Sequence, residues 1–141
     1  MRFNKSKSSL LLMEILITIF LFMLCSVVCI KIFAAGYNLD EDTRELNAAV
    51  MWCESAVSVA GEADVSAAYK DIYPLGDSGV NNYTAYYNKD YSLCDKNNAA
   101  YELRCIWSTE DAGRRIDVKC IKISNESDIY GINTLIHIEE N

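Results

Sequence analysis

Residues 10–35 read LLLMEILITIFLFMLCSVVCIKIFAA, an apolar run interrupted by only two charges, Glu14 and Lys31. As a helix its 26 residues would extend about 39 Å at roughly 1.5 Å per residue, more than the ~30 Å hydrocarbon core of a bilayer. A removable secretory signal carries an apolar region of only about 7–15 residues. This run is too long for that and reads as a transmembrane helix.

The flanks orient it. Arg2, Lys5 and Lys7 precede the run, and Asp40, Glu41 and Asp42 follow it. The positive-inside rule therefore places the amino terminus in the cytoplasm and the remainder outside, as a single-pass cell-membrane protein. Residues 1–9 carry +3 and residues 10–35 are neutral; residues 36–141 hold 19 acidic and 9 basic side chains, a net of −10 that completes the chain's total of −7. An acidic head has no basic stripe with which to neutralise phosphates, so direct nucleic-acid binding is excluded on charge.

Helical periodicity continues past the membrane. Leu39, Leu46, Val50, Cys53, Val57 and Ala60 form a stripe within about 40° of one direction, away from Glu45, Asn47, Ser55 and Ser58. Gly61 is the natural stop, and Asp64 is placed to cap a short second helix over VSAAYK. The expected organisation is a basic leader over 1–9, a transmembrane helix over 10–35, an amphipathic extension of the same helix over 36–61, and a head over 62–141.

After Asn82 the texture becomes β. YTAYY and YSLC are short strand-like segments separated by the turn composition Asn88-Lys89-Asp90. Three longer segments alternate. Tyr101, Leu103, Cys105 and Trp107 share one face, as do Ile116, Val118 and Cys120, and then Tyr130, Ile132, Thr134, Ile136 and Ile138. Short polar connections predict sequential antiparallel pairing. A sheet with one apolar face needs a cover, and the striped helix supplies it. The predicted fold is α+β, a long amino-terminal helix packed on a small antiparallel meander.

Chemistry-bearing residues are sparse. Cys25 and Cys29 lie in the apolar run, and no pair among Cys53, Cys94, Cys105 and Cys120 has the two-residue spacing of a zinc or redox motif. A hairpin turning about Ala112-Gly113 would set Cys105 opposite Cys120 beside a Trp107–Val118 pair. Because a tight two-residue turn puts that pair at a hydrogen-bonded site, free buried thiols are expected there. His137, the single histidine, falls on the polar side of its strand. No phosphate loop, clustered carboxylates or nucleophile–base pair stands out, so no enzymatic activity, metal, cofactor or small-molecule substrate is expected. Trp52 lies about 120° from the centre of the stripe. Two positions remain open for it, contact with another subunit or packing under the loop after Gly61.

Glu14 is the informative oddity, since a charge at membrane depth is costly and marks a functional position. In KSKSSLLLMEILITIFLF, the basic tip, the small Ser9, four apolar residues and Glu14 resemble the processing motif of type IV pilins and type II secretion pseudopilins. ELNAAVMWCESA and YYNKDYSLCDKNNAAYELRC are also similar to pilin-like proteins of clostridial bacteria. The resemblance implies a prepilin peptidase that cuts between Ser9 and Leu10 and methylates the new Leu10 amine. It further implies that Glu14 is the family's acid at the fifth mature position, neutralising the terminal ammonium of a neighbouring subunit in a filament. The chain carries Ser9 where the family prefers glycine and Leu10 where phenylalanine is common, and it lacks the proline that bends many pilin helices.

Overall fold

The computed structural model describes the backbone of residues 2–138 and the side chains of residues 6–138. The side chains of Arg2 and Lys5 in the basic tip lie outside the described residues. Helix α1 spans Arg2–Val59 and α2 spans Val65–Ile72; five strands follow, β1 (Asp77–Ser78), β2 (Asn82–Tyr87), β3 (Tyr101–Glu110), β4 (Gly113–Lys122) and β5 (Ser127–Ile136). By packing, the chain divides after Asp42 into two units.

The first unit is the apolar section of α1. Its most apolar 18-residue window has a mean hydropathy of 2.7 and exposes its side chains throughout, so it is long and apolar enough to cross a membrane. The hydroxyls within it are satisfied locally. Thr18 Oγ1 donates to the Glu14 carbonyl at 2.8 Å and Ser26 Oγ to the Phe22 carbonyl at 2.9 Å, which is what a polar group on such a surface needs when no water is at hand.

The second unit, from Thr43 onward, is the predicted α+β arrangement. All five strands are antiparallel in the order β1-β2-β3-β4-β5, and the end of α1 covers one face. Strand alternation produces that face. Tyr101, Leu103, Cys105 and Trp107 are buried on β3, and Ile116, Val118 and Cys120 on β4. On β5 the inward Tyr130, Ile132, Thr134 and Ile136 are only half-buried, because this strand lies at the edge. Asp64 caps α2 as expected, its carboxylate accepting from the Ala67 N–H at 3.1 Å.

Three expectations need correction. First, the buried stripe of α1 matches the expected one only in part: Cys53 and Ala60 are buried and Val50 and Val57 half-buried, but its centre is rotated toward smaller residues. Leu39 and Leu46 are 68% and 44% exposed, while Glu45, Ala49, Trp52, Cys53, Ala56 and Ala60 are buried. The covered sheet face carries Tyr83, Tyr87, Tyr101 and Trp107, and close packing against such bulk selects small residues on the helix.

Second, the β3–β4 turn is Asp111-Ala112, closed by Glu110 opposite Gly113. Gly113 begins β4 instead of sitting in the loop. Its φ of +143° and its approach to the Ile136 carbonyl, which a Cβ would strike, require glycine. The register therefore shifts by two. Cys105 faces Val118, Trp107 faces Ile116 and Cys120 faces Leu103.

Third, YSLC is not a strand. The Asn88 side chain accepts from the Asp90 and Ser92 amides at 2.9 and 3.0 Å, and Tyr91 takes φ 62°. This turn returns the chain to β2 for a single bridge, Tyr87 to Leu93.

Candidate functional site

Ser9, Leu10 and Glu14 all lie on α1 and all are exposed. A helix supplies its own backbone bonds, so a side chain here is free to serve an intermolecular purpose. The Glu14 carboxylate sits among exposed Leu10, Leu11, Met13 and Ile17. Among the described residues it has no ion pair or hydrogen-bond partner.

Trp52, open between contact with another subunit and packing under the loop after Gly61, is buried within its own head. It is 8% exposed and stacks on Tyr87, with ring centroids 3.8 Å apart and planes 14° from parallel. Tyr101 and Tyr91 flank it at 5.8 and 6.0 Å. The indole is thus consumed within its own head, against β2 and not under the loop after Gly61. Its burial follows from the rotated helix stripe, which turns the 52 position toward the aromatic face of the sheet.

A polar constellation missed in the sequence lies at the start of this unit. The Glu45 carboxylate is 8% exposed and accepts from Tyr101 Oη at 2.7 Å and Lys122 Nζ at 2.6 Å. Burial pushes its pKa up, but the hydrogen bonds from Lys122 and Tyr101 and the Lys122 charge outweigh this and hold it below the ordinary carboxylate value. Burial, reinforced by that carboxylate, raises the Tyr101 phenol. A buried acid with two donors fixes the helix against β3 and β4. The available signal was the i+4 and i+7 spacing from Glu45 to Ala49 and Trp52, which sets all three on one helical face.

At the other end of the covering helix, Arg114 of β4 reaches back to its terminus. Nη1 donates to the Ala60 carbonyl at 2.9 Å and the Glu62 carbonyl at 2.8 Å, occupying carbonyls left without partners where the helix stops. Tyr69 Oη likewise donates to the Ala56 carbonyl at 2.8 Å.

Cys53, Cys105 and Cys120 share the core. Burial raises the first to about 11 and the other two to about 12, the Cys53 thiol adding to the effect on those two. Such thiols are poor nucleophiles. With the observed register, Cys105 and Cys120 are diagonal neighbours, typically about 7–8 Å apart, and this exceeds the span a disulfide bridges without backbone movement. His137 is exposed and its Nδ1 lies 2.8 Å from the Ala112 carbonyl. Among the described residues, no three His, Cys, Asp or Glu side chains converge as metal ligands.

Comparison of the chain with protein-family models, curated proteins and solved structures finds no match.

Proposed function

We propose that the chain is a structural subunit, a minor pilin or pseudopilin of a type IV pilus-like or type II secretion-like filament. In this reading it is inserted with its basic tip in the cytoplasm and its head outside, cut after Ser9 by a prepilin peptidase and methylated at Leu10. Its partners are the membrane, the peptidase and other pilin or pseudopilin subunits. It binds no nucleic acid directly and catalyses no reaction. The observation that carries the reading is Glu14, an exposed carboxylate four residues into an apolar helix with no partner among the described residues. An isolated charge in a dry helix bundle costs several kcal/mol, and a neighbouring subunit's terminal ammonium removes most of that cost. The head then only has to be a stable body at the end of the helix, which its closed polar network and aromatic core support.

Ser9, in place of the glycine preferred at such sites, favours a second reading: an unprocessed single-pass anchor displaying a small extracellular binding domain. Intact mass of the chain extracted from membranes that contain a prepilin peptidase distinguishes them. The subunit reading expects loss of residues 1–9 and gain of one methyl. An intact, unmethylated amino terminus overturns it in favour of the anchor.

A further inference from the structure

The two edges of the sheet are treated differently. The edge at β2 is covered, by β1 at Tyr83 and Thr84 and by the Leu93 bridge at Tyr87. The edge at β5 is a ten-residue strand with no strand beyond it among the described residues. The register states which groups it offers. The two-residue turn makes Glu110–Gly113 the closing hydrogen-bonded pair of the hairpin. Alternation then makes Trp107–Ile116 a non-bonded pair. The Trp107 N–H, which points away from β4 to the Asn81 carbonyl at 3.0 Å, agrees with this. Ile116, Val118 and Cys120 therefore bond toward β5 and their partners Thr134, Ile132 and Tyr130 bond back. This leaves the backbone N–H and C=O groups of Gly131, Asn133 and Leu135 directed outward along the open edge, where all three residues are exposed.

Edges of this length are ordinarily blunted by lysine, proline, an inward charge or a bulge. Residues 129–136, IYGINTLI, contain no lysine, proline or charge, and the register shift of β5 at Ile129 lies ahead of Gly131, Asn133 and Leu135. Within β5 and the turns at its ends the charges share one sign, while Lys119 and Arg115 of β4 stand opposite Gly131 and Leu135. Glu126 and Asp128 lie at the start of the strand, without an ion pair among the described residues, and Asp111 lies in the turn beside its finish. A second copy of the strand, in either orientation, would bring acid against acid at its ends.

We infer that β5 is a strand-addition site for an extended segment of a partner protein, uncharged in its middle and basic at both ends. Main-chain hydrogen bonds to Gly131, Asn133 and Leu135 supply the attachment, and the terminal acids select the partner's charge. The inference concerns the head alone and stands whether or not α1 enters a filament.

The test uses the full chain in detergent micelles and the fluorescent peptide Lys-Lys-Thr-Val-Thr-Val-Thr-Lys-Lys, followed by anisotropy. Saturable binding is expected, weakening by about tenfold when the peptide ends are changed to glutamate. A peptide N-methylated at every Thr and Val keeps its charge but loses its donors, and it should not bind. Asn133→Pro removes an outward donor while leaving the ladder to β4 intact; it should abolish binding with the far-UV spectrum unchanged. Paired Glu126→Lys and Asp128→Lys changes should weaken the basic peptide without altering the edge. Equal binding of the N-methylated peptide would mean attraction by charge alone and would overturn the inference. So would absence of binding, or a concentration-dependent dimer that excludes the peptide.

Discussion

Trp52 and Tyr87 lie face to face, 3.8 Å between ring centroids, joining the covering helix to the second strand of the sheet. The pair is the centre of an aromatic layer that also takes in Tyr91 and Tyr101, and small helix residues on either side let the rings approach. A large residue at one position and alanines around it is how this helix fits a sheet face crowded with tyrosine.

Trp52→Ala should therefore destabilise the head by about 3–5 kcal/mol, the usual cost of emptying a buried aromatic site. Thermal unfolding of the detergent-solubilised chain, followed in the near-ultraviolet, measures it. An unchanged midpoint with lost subunit association would instead return Trp52 to an intermolecular role.

Lys122→Met leaves the Glu45 carboxylate buried with only Tyr101 as donor. Since Lys122 is one-third exposed, water moderates the loss, and about 1–2 kcal/mol is expected. The pH dependence has a definite sign. Glu45 has a folded pKa below its unfolded value, so its contribution is present above the unfolded carboxyl pKa of about 4.3 and is lost as pH falls through the depressed folded value. Unfolding of the wild-type chain and Lys122→Met should converge in stability over that acidic window. Parallel curves across it would show that Glu45 does not titrate with folding.

Cysteine reactivity separates the core from the surface. Burial keeps Cys53, Cys105 and Cys120 protonated well above neutral pH, whereas Cys94 is only half-buried. Brief alkylation of the folded chain at pH 8 should modify Cys94 ahead of these three, which should label only on unfolding. Labelling of Cys105 or Cys120 at the rate of Cys94 would contradict the core described. If the unreduced, unfolded chain resists labelling at two of these positions until reductant is added, they are disulfide-bonded.

Glu14→Val makes the apolar span more uniform, so insertion and head folding should be unaffected. On the proposed subunit reading, incorporation into filaments should fall sharply, and Ser9→Gly should speed removal of residues 1–9. Copurification of each variant with assembled filaments and its mass report both effects. Wild-type incorporation of Glu14→Val removes the role assigned to this carboxylate.

The fold class was legible because its signal is repetitive. Three alternating segments, short polar connections and a long apolar run each point one way over many residues. The details that failed depended on single positions. Leu46 and Val50 marked a stripe because large aliphatics dominate any count of hydrophobicity, yet the sheet needed Ala49 and Ala56, displaced by roughly 90° at 100° per residue. Glu45 looked like a solvent residue because its two donors arrive from β3 and β4, far along the chain. Gly113 looked like a loop residue because a glycine that opens a strand at positive φ has the same letter as one inside a turn. Glu14 was visible at once, since one charge in an apolar run contrasts with its immediate neighbours.

The Glu45 carboxylate meets Tyr101 across 56 residues of sequence and Lys122 across 77. At synthesis rates of about 5–20 residues per second, Lys122 follows Glu45 by roughly 4–15 s. Throughout that interval the covering helix exists with its alanine-and-tryptophan face bare and an unpaired acid at its start. The head therefore matures late and all together, only once the fourth strand has been made. A chain truncated before Lys122 would leave this face as a standing target for proteolysis.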